Sequence, residues 1–257
     1  MKTVILAGGF GTRISEESGL RPKPMIEIGG APILWHIMKY YSHHGFNEFV
    51  ICCGYKGYMI KKFFADYYLH RSDLTFDFTC ENSIIIHNNE SEPWKVTLVD
   101  TGPETQTGGR IARIRPYTGG EAFMLTYGDG VSDVDIKALL IRHRELGVAA
   151  TLTAVRPGGR FGVLDTGDGD FVTGFREKAK TDSGWINAGF MVMEPEVFDY
   201  LDGDGCVLER SPMERLAKEG KLGVYRHEGF WQCMDTLRDK QLLEELLKKG
   251  EAPWRVW

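Results

Sequence analysis

Nowhere in the 257 residues is there an apolar run of about 20, the length a membrane-spanning helix needs. The opening apolar stretch, Val4-Ile5-Leu6-Ala7, is also too short for the core of a secretory leader. These absences predict a soluble, unsecreted, cytoplasmic protein. Blocks of Lys and Arg are missing as well: 31 basic residues face 36 acidic ones, for a formal charge of −5. Binding along a nucleic-acid backbone or an anionic membrane requires clustered positive charge, so no nucleic acid and no membrane is expected as partner. Any phosphate handled here should be small and locally gripped. The five cysteines lack metal-ligand or redox spacing, with Cys52 and Cys53 adjacent and Cys80, Cys206 and Cys233 alone. They read as reduced thiols. Internal repeats, low-complexity tracts and Pro/Ser linkers are also absent.

Glycine is in excess, with 31 residues against an ordinary share of about 7%. The length suits one α/β domain. Residues 3–7 form a short apolar, β-branched run closed by Gly8 and Gly9, which predicts a buried strand. Pro32 can open a helix in which Ile33, Leu34, Ile37, Met38 and Tyr41 recur at helical spacing until Gly45. A strand over 48–53 follows, then a helix over 58–69 with Met59, Ile60, Phe63, Phe64 and Tyr67 on one side. Residues 71–120 are less periodic, although 95–100 alternates like a strand and 107–113 suits a helix. Further strands are predicted over 122–127, 150–155 and 187–193, a hairpin over 161–165 and 171–175, and helices over 135–146, 209–219 and 236–249. Strand and helix alternating in this way predict a Rossmann-like mixed, mainly parallel sheet flanked by helices. In such sheets ligands sit beyond the carboxyl ends of the strands, so the loops after Ala7, Tyr127 and Met193 are where chemistry is expected.

The sharpest local signal is Leu6-Ala7-Gly8-Gly9-Phe10-Gly11-Thr12-Arg13, directly after the first strand. Glycines let backbone N–H groups approach a phosphate, and Arg13 adds a guanidinium fork. The run is not a Walker loop, because no Gly-Lys-[Ser/Thr] follows, nor a dinucleotide fingerprint, because position 14 is Ile. A glycine turn that only joins strand to helix is the alternative. Lys23 stands between Pro22 and Pro24, which stiffen the segment in extended conformation and disfavour helix. Asp129, at a strand end, and Asp235, in Phe230-Trp231-Gln232-Cys233-Met234-Asp235, are carboxylates in apolar surroundings. Hard oxygens of that kind suit Mg²⁺. Asp235 is equally placed to cap the last helix. The Asp133 and Asp135 pair reads as a helix start.

Taken in order, Gly8-Gly9-Phe10-Gly11-Thr12-Arg13, Pro22-Lys23-Pro24-Met25, Gly128-Asp129 and Glu177-Lys178 resemble the sugar-1-phosphate nucleotidylyltransferase superfamily. Within it the chain is similar to the glucose-1-phosphate cytidylyltransferases through Ile51-Cys52-Cys53-Gly54-Tyr55-Lys56-Gly57, Glu92-Pro93-Trp94, Val99-Asp100-Thr101-Gly102, Thr107-Gly108-Gly109-Arg110, Thr126-Tyr127-Gly128-Asp129-Gly130 and Gly229-Phe230-Trp231-Gln232 with Met234-Asp235-Thr236. The resemblance covers essentially the whole chain. It implies transfer of a cytidylyl group from CTP to α-D-glucose 1-phosphate, giving CDP-glucose and pyrophosphate for deoxysugar and lipopolysaccharide O-antigen precursors. Arg13 and Lys23 are then the catalytic cations, for pyrophosphate and α-phosphate. The nucleotide would lie on Leu6, Ala7, Gly8, Gly9, Phe10, Gly11, Thr12, Arg13, Lys23 and Gly128, with Thr105, Thr107, Gly108 and Arg110 near the base. Asp129 and Asp235 would bind Mg²⁺, and Gly162, Glu177, Lys178 and Asn187 the sugar phosphate.

The resemblance further implies one nucleotidyltransferase domain over 1–257, with 160–257 as the sugar side. Residues 70–110 would be an insertion that helps build a homo-oligomer, commonly a hexamer, and Tyr67, Tyr68, Phe76 and Phe78 there suit an interface or a core. A sister enzyme using dTTP or UTP and a non-catalytic nucleotide-sugar-binding regulatory subunit stay open at this point. The sequence departs from its relatives at Phe10, often Leu, and at Ala179, where Pro commonly follows the lysine.

Overall fold

A computed structural model describes residues 1–80, 82–156, 163–166, 171–176 and 184–257. Seven strands make the central sheet: β1 (Thr3–Ala7), β2 (Glu48–Cys53), β3 (Lys95–Asp100), β4 (Phe123–Tyr127), β5 (Ala150–Val155), β6 (Ile186–Met193) and β7 (Leu222–Arg226). Their order is β7-β5-β6-β4-β1-β2-β3. Strand β6 runs antiparallel to β4 and β5, and every other pairing is parallel. The mixed, mainly parallel sheet read from the sequence is therefore the one observed.

Alternation along each strand decides which core a side chain joins. In β1, Ile5 and Ala7 meet Phe49, Ile51, Met124 and Phe190 on one face, while Val4 and Leu6 meet Val50, Cys52 and Leu125 on the other. Both faces are covered, which is why the strands read as continuous apolar runs. Helices α1 (Ile33–His43), α2 (Gly57–Ala65), α4 (Ile136–Leu146) and α6 (Leu237–Lys249) cover the first face; α3 (Thr107–Arg113) and α5 (Ser211–Lys218) cover the second. The five apolar residues predicted along α1 are all buried, and Gly45 ends the helix in a left-handed turn at φ 92°. Asp135 caps α4 by accepting from the N–H groups of Lys137 and Ala138, and Asp133 turns away to pair with His227 at 2.8 Å.

Three local readings differ. The helix predicted over 58–69 is two pieces, Gly57–Ala65 and Tyr67–His70, broken at Asp66. Lys23 does not sit on an extended stalk. Pro22 is extended, but Lys23–Met25 is a single 3-10 turn in which the Met25 N–H donates to the Pro22 carbonyl at 2.8 Å. Pro24 tolerates the turn because a proline near a helix start forfeits no intrahelical bond. The weakly periodic segment before β3 holds an antiparallel hairpin, Ser72–Asp77 with Ser83–Asn89. Phe76, Phe78, Ile84, Ile85 and Ile86 all stay exposed there, so no buried face imposed the alternation that identifies a strand. The predicted hairpin in the second half is present as Val163–Thr166 paired with Val172–Arg176.

Phe190 of β6 lies fully inside the first core, stacked on Tyr41 with ring centroids 6.0 Å apart. Phe190→Ala should cost about 3–5 kcal/mol through the cavity it leaves. Thermal unfolding should show a midpoint lower by roughly 10 °C; an unchanged midpoint would show that β6 does not fix the sheet's antiparallel seam.

Candidate active site

A cavity of about 310 Å³ opens beyond the carboxyl ends of β1 and β4. Its floor is the predicted run from Leu6 to Arg13, and its walls carry Lys23, Thr105, Thr107, Arg110, Gly128, Asp129 and Asp235. Strand β1 stops at Ala7, and the Gly8 carbonyl accepts from the Tyr55 N–H at 3.1 Å, tying the loop to the end of β2. At Gly11 the backbone turns left-handed at φ 66°, and a Cβ would stand 3.3 Å from the Lys23 side chain. Thr12–Ile14 then form a 3-10 turn that leaves the Arg13 side chain 74% exposed at the cavity mouth.

The two candidate metal carboxylates are brought together by backbone pairing. The Gly128 N–H donates to the Leu6 carbonyl at 2.9 Å, so β4 runs beside β1 until Asp129 leaves it. Short strands Gly130–Ser132 and Trp231–Cys233 then pair antiparallel, and the Met234 N–H donates to the Asp129 carbonyl at 2.8 Å. Asp235 follows directly. It is not the cap of α6: Thr236 fills that role in a capping box with Asp239, whose carboxylate also accepts from the Asp235 N–H. The Asp235 carboxylate is thereby left to face the cavity.

Lys23 Nζ lies 2.6 Å from Asp129 Oδ2 and 2.5 Å from Asp235 Oδ1, and Arg13 Nη1 lies 2.9 Å from Asp235 Oδ2. Burial alone would lower the Lys23 pKa, but the two carboxylates outweigh it and hold the ammonium above its ordinary value. Burial likewise pushes Asp235 up, and attraction from Lys23 and then Arg13 carries it below the usual carboxylate range. Two carboxylate oxygens that share one ammonium are close enough to share a divalent cation. No cluster of three or more His, Cys, Asp or Glu suited to a metal occurs among the described residues. Mg²⁺ does not need one, since it takes one or two carboxylates and completes its shell with water and phosphate oxygens.

The loop over 103–107 faces the glycines across the cavity, and its predicted residues divide. Thr105 and Thr107 line the cavity; Gly108 does not, because it packs on Cys206, whose Sγ would lie 2.6 Å from an added Cβ. Arg110 is buried, and its guanidinium donates to Gly8 O, Thr101 Oγ1, Gly102 O, Pro103 O and Cys53 O. It braces the loops around the cavity with those donors. Its passage requires Gly8 and Gly54, where a Cβ would fall 2.1 Å and 2.4 Å from Arg110 Nη1. Asn187 opens β6 and accepts from the Gly189 N–H at 2.9 Å. Because β6 is antiparallel, its start lies at the same end of the sheet as Asp129. Gly162, Glu177 and Lys178 lie outside the described residues.

Two contributors were not singled out from the sequence. Glu209 accepts from Thr107 Oγ1 at 2.6 Å and from the Tyr127 hydroxyl, and Asp239 secures the backbone at Asp235. The partners of Glu209 lie 102 and 82 residues away, so it was not distinguishable from a surface acid, whereas Asp239 stands in the Thr-x-x-Asp spacing of a capping box. A larger cavity of about 700 Å³ between Trp35 and Trp257 contains none of the predicted site residues.

In metal-free protein the depressed Asp235 contributes stability that is present above the ordinary carboxylate value and lost as pH falls through its own. The raised Lys23 contributes stability present below the ordinary lysine value and lost as pH rises past it. Lys23→Met should therefore flatten the acid limb of a stability-against-pH curve, measured by chemical unfolding. An acid limb identical to the wild type would show that Lys23 does not hold Asp235.

Residues 2–220 match the nucleotidyl transferase family. A glucose-1-phosphate cytidylyltransferase of Salmonella typhimurium is 56% identical, with all of both chains covered. A Bacillus subtilis relative named "Probable glucose-1-phosphate cytidylyltransferase" is 45% identical over the same full extent. Among solved structures, HddC from Yersinia pseudotuberculosis superposes with a TM-score of 0.77 at 23% identity, covering 96% of this chain and 99% of that one. The inositol-1-phosphate CTP transferase from T. maritima gives 0.74 at 16%, covering 97% and 96%. These two likenesses concern the fold, that of the nucleotide-diphospho-sugar transferases. The glycine loop, the Lys23 cluster and the full-length identity lead to one conclusion: the chain belongs to the nucleotidyl transferase family, in its glucose-1-phosphate cytidylyltransferase branch.

Proposed function

We propose that the protein transfers a cytidylyl group from CTP to α-D-glucose 1-phosphate, giving CDP-glucose and pyrophosphate. The carrying observation is the meeting of Arg13, Lys23, Asp129 and Asp235 on a glycine loop at the strand ends, in a chain 56% identical throughout to an enzyme of that name. A protein that only sensed nucleotide sugars would need neither both carboxylates nor a cation for the leaving group.

A phosphate oxygen of the sugar phosphate attacks the α-phosphorus in line. The bond from that phosphorus to the bridging oxygen breaks, and its electron pair leaves with pyrophosphate. No covalent enzyme intermediate is involved, so catalysis is alignment and charge neutralisation. Glycine N–H groups of residues 8–11 orient the triphosphate. Lys23 places its charge at the α-phosphate, and Arg13, exposed at the mouth, takes the departing pyrophosphate. Asp129 and Asp235 would hold Mg²⁺, which when bound would neutralise phosphate charge. Gly162, Glu177, Lys178 and Asn187 form the sugar-phosphate side.

CDP-glucose made this way feeds deoxysugar and lipopolysaccharide O-antigen precursors, in a cytoplasm whose reducing conditions suit five free cysteines. We assign the hairpin at 72–89 to assembly as a homo-oligomer, in the form of a hexamer. Phe76 and Phe78 stack 6.3 Å apart while 51% and 79% exposed, an apolar surface that isolated monomers seldom display.

Pyrophosphate release, measured with glucose 1-phosphate, Mg²⁺ and CTP, UTP, dTTP or GTP in turn, should be fastest with CTP. Equal or faster turnover with dTTP overturns the reading. Asp235→Asn should lower turnover by orders of magnitude and alter the Mg²⁺ dependence, and Lys23→Ala should lower kcat about 10²–10³-fold, as lost charge-stabilising groups do. For assembly, Phe76→Glu with Phe78→Glu should reduce the mass seen by light scattering; an unchanged mass would place the interface elsewhere.

A further inference from the structure

We infer that Thr107, its hydroxyl proton fixed by Glu209, selects a pyrimidine with a 4-amino group over one with a 4-carbonyl. The inference rests on CTP being the donor and names the groups that would make it so. Arg13 and Lys23 stand with Asp129 and Asp235 beside the glycine loop, and the triphosphate belongs there. The opposite wall, 103–107 with Tyr127, is left for the base. Arg110 offers that wall little, because both of its Nη groups are engaged by oxygens of Gly8, Cys53, Thr101, Gly102 and Pro103.

The Thr107 hydroxyl has two protein neighbours whose roles are fixed by chemistry. The Leu208 backbone N–H, 2.9 Å from Thr107 Oγ1, can only donate. The Glu209 carboxylate, 2.6 Å away, can only accept. The single hydroxyl proton therefore points to Glu209 Oε2, and one lone pair of the oxygen is committed to Leu208. What remains is one lone pair, an acceptor, on a residue lining the cavity. Glu209 cannot turn away to release the proton, because its Oε1 holds the Tyr127 hydroxyl. Cytosine carries an amino group at position 4, which donates. Uracil and thymine carry a carbonyl there, which would set lone pair against lone pair, and a site built for one polarity rejects the other strongly. Glu209 touches no substrate and acts through Thr107 as a positioning residue.

The measurement is the ratio of kcat/KM for CTP to that for UTP. Being a ratio within one preparation, it is insensitive to any fraction lost to misfolding. Thr107→Val should lower it at least about tenfold by removing the acceptor, the loss of roughly one matched hydrogen bond. Thr107→Ser should keep it. Glu209→Gln should lower it by raising use of UTP, since the amide nitrogen can donate to a hydroxyl and free that proton to face the base. Where a variant turns over too slowly, the ratio of CTP to UTP dissociation constants by calorimetry replaces it, with the same expected changes. Wild-type ratios in both Thr107→Val and Glu209→Gln overturn the inference while leaving the proposed reaction intact. A wild type without preference for CTP over UTP overturns both.

Discussion

An ammonium group shared by two carboxylates sets the arrangement of this molecule. Lys23 is 106 residues from Asp129 and 212 from Asp235, and all three must meet within hydrogen-bond distance. Meeting that requirement uses the parallel pairing of β1 with β4, the short antiparallel pair after Asp129, and a helix cap that leaves Asp235 free. Like charges so close would repel and be costly to bury unless a cation lay between them. The same three groups are suited to phosphate chemistry, because a nucleotide with its metal can replace each half of the ion cluster by a matching charge.

The nucleotide side depends on a different buried cation. Arg110 has no carboxylate partner among the described residues and is satisfied by carbonyl and hydroxyl oxygens at the ends of β1, β2 and β3. Burial lowers its pKa, but a guanidinium stays protonated, so its charge must be met by those dipoles. One side chain thus fastens together the loops that form the floor and far wall of the cavity. The glycine excess has part of its explanation here: Gly8 and Gly54 leave room for Arg110, Gly11 supplies a left-handed turn, and Gly108 lets α3 pack on Cys206. Gly8 and Gly11, which read as phosphate-loop residues, are also packing residues.

Much of the fold was legible because burial on both faces writes strands as apolar runs. Ile5, Ile51, Leu125 and Val192 lie in such runs and are all buried. The hairpin at 72–89 was not legible, since its apolar residues are exposed and follow no one-sided alternation. The glycine loop and Lys23 could be read for the complementary reason: unusual residues in a short span, at the end of a strand, have few other uses. Glu209 and Arg110 gave no such sign of what they do. Glu209 acts on partners 82 and 102 residues away and Arg110 ties Gly8, 102 residues away, to Cys53 and to its own loop, and an isolated acid or arginine looks the same whether it braces a site or meets solvent.

The sequence by itself determined the alternation of strand and helix, the absence of a membrane-length apolar run, and the loop and charged residues that resemble a nucleotidylyltransferase. Those depend on spacing and residue type within a few turns of chain. Tertiary structure decided which carboxylates share Lys23, that Thr236 and not Asp235 caps the last helix, that Arg110 braces the cavity, and that Glu209 fixes the Thr107 proton. Apart from the cap, whose two residues are 3 positions apart, each of these is a matter of direction and distance between groups distant in the chain, set only when the sheet aligns the strand ends that carry them.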